Sequence, residues 1–138
     1  MIFYVCILFL IIILIMLYVF KIIRIESYDP IISEIHARLK LIHPKAENVE
    51  IFTGKKSYTI NKKYIYLCLK NEKGEYYDMN MLMYVALHEL AHVIDEIVDT
   101  SHRPEFFVIL DTLIEKAHSL DLYDKHYKPI MNYCNFND

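Results

Sequence analysis

An uncharged apolar run at residues 2–20, nineteen positions long, most constrains how this chain can fold. As an α-helix it would span about 28 Å, close to the thickness of the hydrocarbon core of a bilayer. No basic residue precedes the run and no small-x-small cleavage site follows it, which favours a membrane anchor over a cleaved signal peptide. Lys21 and Arg24 form a basic flank, so the positive-inside rule favours a cytosolic C-terminal domain. We therefore expect a single-pass anchor at residues 1–24 and one domain at residues 25–138.

Charge and cysteine content narrow the class of the remaining chain. All charged residues follow position 20, and the formal net charge is -3. Two lysine pairs occur at apparent turns, but they do not form the extended basic patch of a nucleic-acid-binding protein, so we expect no direct nucleic-acid binding. Three cysteines lack the spacing of a disulfide framework, which favours unpaired thiols in a reducing compartment: Cys6, Cys68 and Cys134.

The first part of the predicted domain has helical periodicity. Asp29 and Pro30 match the preferred N-cap and first position of a helix. One apolar stripe follows at helical spacing: Ile31, Ile35, Leu39 and Ile42. Pro44 then disfavours helical backbone at His43, so we expect the helix to end there.

Three short strands are predicted next, because β-branched and aromatic residues alternate with polar ones. They cover residues 49–51, 58–60 and 64–69. In the third strand Tyr64 and Tyr66 share one face, which most often indicates a half-buried surface. The alternative is an edge strand that holds an extended peptide beside a catalytic helix.

A longer amphipathic helix is predicted after the strands, with Asp78 or Asn80 as its N-cap. Its apolar face is formed by residues at helical spacing: Met83, Leu87, Leu90, Ile94 and Ile97. His88 and His92 are four residues apart, so their imidazoles lie on one side, about 6 Å apart along the helix axis. A core helix with two histidines near its polar edge is the alternative that involves no metal.

His88, Glu89 and His92 form an H-E-x-x-H motif, a pattern whose residue types and spacing together specify a chemistry. Neutral imidazole nitrogens are good ligands for Zn²⁺, and two histidines one turn apart supply two corners of a tetrahedron. Glu89, beside the first ligand, can take a proton from water at the open metal position. The motif is typical of a zinc hydrolase, most often a metalloprotease.

A catalytic zinc site needs a third protein ligand. His102 is the best-placed candidate, because it follows a short excursion after the helix and Pro104 marks the start of the next helix. The other downstream candidates are Glu105, Asp111, Glu115 and His118. Asp95 has two interpretations: a hydrogen-bond partner for a ligand imidazole, or part of a solvated acidic helix end.

Two stretches resemble the WLM and SprT-like minimal zinc metalloproteases: VALHELAHV at residues 85–93 and SHRPEFF at residues 101–107. The similarity extends over residues 49–117 as an order of elements. It implies a compact zincin-like α+β fold with a small sheet before the metal-binding helix. It also implies Glu89 as the catalytic carboxylate and three zinc ligands: His88, His92 and His102.

The prediction from the sequence is thus a membrane-anchored zinc metallopeptidase. Residues 2–20 provide the contact with the membrane, Zn²⁺ is the cofactor, and the expected partner is a protein or peptide substrate. Glu89 acts as the general base in this interpretation. The alternative is a zincin-fold structural or interaction protein without turnover, in a membrane assembly such as a virion.

Overall fold

The computed structural model describes residues 1–26, 29–97 and 101–135. The chain divides into two compact units, Met1–Pro30 and Ile31–Asp138. The helices are α1 (Ile2–Glu26), α2 (Pro30–Ile42), α3 (Met79–Ile94) and α4 (Pro104–Ser119), and the strands are β1 (Glu50–Thr53), β2 (Tyr58–Ile60) and β3 (Tyr64–Leu67). Short 3₁₀ segments cover Pro44–Asn48 and Tyr133–Asn135. The α+β class predicted from the sequence is confirmed.

Helix α1 contains the uncharged run and continues to Glu26, past the basic flank. Phe3–Phe20 has a mean hydropathy of 3.1 and is long enough to cross a membrane. A signal sequence near an N-terminus can meet the same criteria of length and composition. The structure therefore supports an apolar N-terminal helix that could span a bilayer.

Helix α2 packs into the core of the second unit through Ile32, Ile35, Leu39 and Ile42. The predicted stripe is confirmed except at its first position, where Ile32 is buried and Ile31 only partly so. The helix ends before Pro44, as predicted.

The three strands form a mixed sheet in the order β1-β3-β2. Strand β1 runs parallel to β3 with Ile51 opposite Ile65, and β2 runs antiparallel to β3 with Thr59 opposite the same residue. Strand β3 is therefore the central strand, and its tyrosines do not line an edge that could pair with a peptide. The edge strand that contacts α3 is β2.

The two faces of the sheet differ in character. Ile65 and Leu67 of β3 are fully buried towards the helices. The outer face carries stacked aromatic rings, with Tyr66 between Phe52 and Tyr58 at centroid distances of 5.4 and 4.7 Å. This face is directed away from the helices because side chains alternate along a strand.

The core lies between the sheet, α2, α3 and α4. Its largest fully buried side chains come from all of these elements: Ile35, Leu39, Ile65, Leu67, Leu82, Met83, Leu87, Leu90 and Phe106. Truncation of such a leucine to alanine typically destabilises a domain by about 2–5 kcal/mol. Helix α3 is covered along most of its length. The prediction that Ile97 continues its apolar face is wrong, because α3 ends at Ile94 and Ile97 is 52% exposed.

The C-terminal segment is joined covalently to the sheet. Cys134 forms a disulfide with Cys68, directly after β3. Beside it, the buried Tyr133 hydroxyl lies 2.9 Å from the Ser57 hydroxyl and donates to the Cys68 carbonyl. The expectation of unpaired thiols is therefore wrong for Cys68 and Cys134, whereas Cys6 is free, as expected. Cysteine spacing in the sequence did not predict this disulfide, because the tertiary fold is what brings the two residues together.

We predict that Cys134→Ser lowers the free energy of unfolding by about 2–4 kcal/mol, because the lost bond closes a long loop and constrains the unfolded chain. Urea denaturation of the detergent-solubilised chain, followed by circular dichroism without reductant, measures the difference. Cys6→Ser is the matched control, because Cys6 is an exposed free cysteine in α1. Equal stability of wild-type protein and Cys134→Ser would contradict the pairing.

Candidate metal centre

Helix α3 places His88 and His92 on one side, one turn apart, with their ring centroids separated by 5.1 Å. The start of this helix is well defined. The Asp78 side chain accepts a hydrogen bond from the Met81 amide at 2.9 Å, and its other oxygen accepts one from the Tyr127 hydroxyl at 2.7 Å. Of the two N-caps considered, Asp78 is therefore the one used.

His102 completes a cluster of three imidazoles. It precedes α4, and its Nε2 lies 3.0 Å from Nε2 of His88. Each of the three residues offers one ligand nitrogen, and the three nitrogens lie within 4.8 Å of one another: His88, His92 and His102. Within the described part of the chain, these histidines form a group that could hold a metal ion. The structure thus brings together all three histidines predicted as ligands.

Phe106 packs against the histidine cluster from the interior of the domain. This ring is fully buried in the first turns of α4. Its centroid lies 4.9 Å from that of His88, 4.4 Å from that of His92 and 4.9 Å from that of His102. Packing of α4 against α3 therefore places the Phe106 ring against all three imidazoles.

His88 and His92 are kept in the neutral form that binds metals. Burial lowers the pKa of His88 to about 4, and the neighbouring His92 and His102 act in the same direction. Burial is also the main reason that the pKa of His92 is lowered. Both rings are thus neutral near pH 7, with lone pairs available for a cation.

The donor set fits a divalent transition-metal ion. Two nitrogens bound to one tetrahedral Zn²⁺ at 2.0–2.1 Å would lie about 3.3 Å apart. The 3.0 Å separation of the His88 and His102 nitrogens is near this value. His102 is exposed, whereas the other two rings are half-buried, so the cluster has one side open to solvent.

Glu89 is a buried carboxylate next to the cluster in sequence. Its Oε2 lies 2.7 Å from the Thr59 hydroxyl of β2, and its backbone carbonyl lies 3.1 Å from the same hydroxyl. Burial raises the pKa of Glu89 to about 7, although the hydrogen bond from Thr59 favours the ionised form. A cation bound by the neighbouring histidines would favour the carboxylate further.

Neither interpretation of Asp95 describes what the structure contains. Asp95 caps the C-terminus of α3 and is buried, so it is not part of a solvated helix end. Its carboxylate accepts hydrogen bonds from Arg103 and from the Ile97 amide. The Ile97 amide is the first cause of its lowered pKa, and the Arg103 charge acts in the same direction.

The other downstream candidates for the third ligand lie elsewhere. Glu105 contacts Arg103, and Glu115 pairs with Lys125 at 3.0 Å. Asp111 is exposed on α4. His118 Nδ1 lies 3.2 Å from the Tyr123 carbonyl, on the far part of α4.

Sequence reasoning did not identify Thr59 or the pairing of Arg103 with Asp95. Thr59 is thirty residues from Glu89 along the chain, and its contact depends on the docking of β2 against α3. The position of Arg103 directly after the third histidine was a sequence signal of a role at the site. Its partner, Asp95, could be identified only from the tertiary structure.

The second unit is an α+β domain with a three-histidine candidate metal centre, and it follows an apolar N-terminal helix in the sequence. Uncharacterized protein 136R of Invertebrate iridescent virus 6 is 44% identical over 89 residues, covering 62% of this chain and 49% of that protein. Uncharacterized protein 042R of Invertebrate iridescent virus 3 is 41% identical over 88 residues, covering 63% and 54%. Uncharacterized protein R325 of Acanthamoeba polyphaga mimivirus is 39% identical over 106 residues, covering 75% and 51%.

The chain thus spans about half the length of the curated viral relatives that it matches. No protein-family model matches the chain. No solved structure matches it either.

We predict that the purified chain binds one divalent transition-metal ion, and that His102→Ala weakens this binding by more than about 100-fold. Loss of a residue that only orients a ligand already costs about 10–100-fold. Elemental analysis gives the stoichiometry, and titration against a chromophoric chelator gives the affinity. His126→Ala, which removes an exposed histidine outside the cluster, is the control and should bind as the wild type does. Equal affinity of both variants would refute the assigned ligand.

Proposed function

We propose that this chain is a membrane-anchored zinc metallopeptidase with a zincin-like fold, related in its site to the WLM and SprT-like enzymes. One observation carries the proposal: three imidazoles converge at one point, and the residue after the first of them is a buried carboxylate with a raised pKa. Ionisable groups shifted in this way are concentrated at functional sites. An intact carboxylate at this position is not needed by a site that only binds metal for stability.

In this proposal His88, His92 and His102 hold the zinc ion. When bound, zinc supplies Lewis acidity, which lowers the pKa of a coordinated water from about 15.7 towards 7 and polarises a carbonyl group. Glu89 takes the proton from the attacking water and carries it to the leaving amine. Burial raises the pKa of this carboxylate, which helps it to hold the proton between the two transfers.

Thr59 orients the carboxylate for this role. Its hydroxyl has one proton, and the short 2.7 Å contact directs that proton to Oε2 of Glu89. The other carboxylate oxygen is then available for proton transfer. Because Thr59 belongs to β2, the strand order also links the edge of the sheet to the carboxylate.

The substrate class that suits this arrangement is an extended peptide or unfolded protein segment. Strand β2 lies at the edge of the sheet and contacts α3. An extended peptide that adds to such an edge gains backbone hydrogen bonds without sequence preference. The contact of Thr59 with Glu89 would place that peptide next to the catalytic carboxylate.

We predict that Glu89→Gln retains zinc and lowers cleavage of casein by about 10²–10⁴-fold, the usual size of a general acid–base contribution. The amide can still accept the hydrogen bond from Thr59, so the fold should persist. Zinc content and release of peptides from casein are measured on the same preparations. Glu47→Gln is the control for loss of an exposed carboxylate elsewhere and should cleave at the wild-type rate.

The competing function is a zinc-containing structural or interaction protein with the same fold. Such a protein would bind a full equivalent of zinc and would cleave none of a panel of unfolded proteins. In such a protein Glu89→Gln would change neither the zinc content nor the release of peptides from casein. An active Glu89→Gln protein would sink the proposed role of the carboxylate in either case.

We also propose that Phe3–Phe20 anchors the chain in a membrane as a single span. We predict that the expressed chain stays in the membrane pellet after extraction at alkaline pH, and that its N-terminal residues are detected in the mature protein. A cleaved signal sequence would instead release a shortened chain into the supernatant. Immunoblotting with tags at both ends distinguishes these results.

Two features bear on the orientation of this span, and they favour opposite sides of the membrane. Lys21 and Arg24 favour a cytosolic domain by the positive-inside rule. The disulfide between Cys68 and Cys134 favours the opposite side, because disulfides are rare in a reducing cytosol.

A further inference from the structure

His102 differs from the other two candidate ligands because it is not part of α3. Helical geometry alone holds His88 and His92 on one side. His102 is ten residues beyond His92 in the connection between α3 and α4. Ordering such a connection costs conformational entropy, which must be offset by contacts in the protein or by the metal itself.

One ion pair joins the two ends of this connection. Asp95 is the C-cap of α3, and Arg103 is the N-cap of α4. Nη2 of Arg103 lies 3.1 Å from Oδ1 and 3.0 Å from Oδ2 of Asp95. The pair therefore lies three residues after one ligand and one residue after another.

The pair is more buried than an ordinary surface ion pair. The side chain of Asp95 is 8% exposed and that of Arg103 is 24% exposed. Oδ1 of Asp95 also accepts the Ile97 amide at 3.2 Å, which holds the start of the connection. The Arg103 amide donates to the Ser101 carbonyl at 3.0 Å, which fixes the backbone on both sides of His102.

We infer that Asp95 and Arg103 form a clamp that positions His102 for the metal, an inference that rests on the proposed metal site. The clamp brings the end of α3 and the start of α4 together before metal binds, so the third imidazole is already near the other two. Without it, His102 occupies the binding position in a smaller fraction of molecules. Apparent metal affinity falls in proportion to that fraction.

The test measures the affinity of the full detergent-solubilised chain for Zn²⁺ by competition with a chromophoric chelator. We expect Asp95→Asn to weaken zinc binding about tenfold, corresponding to a tenfold smaller competent fraction. Glu115→Gln is the matched control, because it removes the carboxylate of the 3.0 Å ion pair with Lys125 at the other end of α4. This control should bind zinc with wild-type affinity.

A double-mutant cycle separates positioning of His102 from a general structural role. In the His102→Ala background, Asp95→Asn should have no further effect on zinc affinity, because the residue that the clamp positions is already missing. A merely structural role would weaken binding by the same factor in both backgrounds, and that result would overturn the inference. Arg103→Lys, which keeps the charge and loses the planar fork, provides a second route through the cycle if Asp95→Asn does not fold.

Failure of the inference and failure of the proposed function give different results. A wild-type chain that binds no zinc overturns both. Zinc binding that is equal in wild-type protein and Asp95→Asn overturns the clamp alone and leaves the metal site intact.

Discussion

The packing of α3 against α4 around the Phe106 ring is the contact on which the candidate metal centre depends. Two of its imidazoles belong to one helix and the third precedes the other, so the cluster exists only while the helices are held together. Phe106 contacts all three rings and is itself fully buried. Displacement of this ring would cost core burial as well as the geometry of the site, which ties metal binding to the stability of the domain.

The sheet contributes the second constraint on the site. Glu89 is buried, and desolvation of a carboxylate is unfavourable unless a polar partner is supplied. The strand order places Thr59 on the edge strand β2, where its hydroxyl meets that carboxylate at 2.7 Å. The C-terminal segment then holds the sheet from the other end through Cys134 and Tyr133. A small domain thus uses a disulfide and a buried hydroxyl network to stabilise the elements around its site.

Local patterns predicted the elements well where neighbouring residues decide the conformation. Asp78 caps α3 and Pro104 opens α4, in agreement with their known positional preferences. The predictions failed where a residue far away in the sequence determines the local conformation or the strand pairing. Ile97 fits the helical period but lies beyond the end of α3, because Asp95 turns the chain towards Arg103. The third strand was taken for a possible edge strand, although β1 and β2 pair on both of its sides.

The sequence by itself determined the pair of histidines on one helical side, the adjacent carboxylate and the uncharged N-terminal run. Each of these follows from the period of a helix or from composition, which are properties of neighbouring residues. Only the tertiary structure decided that His102 joins the cluster instead of a downstream carboxylate, that Thr59 meets Glu89, and that two cysteines form a bond. Contacts between residues far apart in sequence depend on how the elements dock, and that docking is set by burial over the whole core instead of by any local pattern.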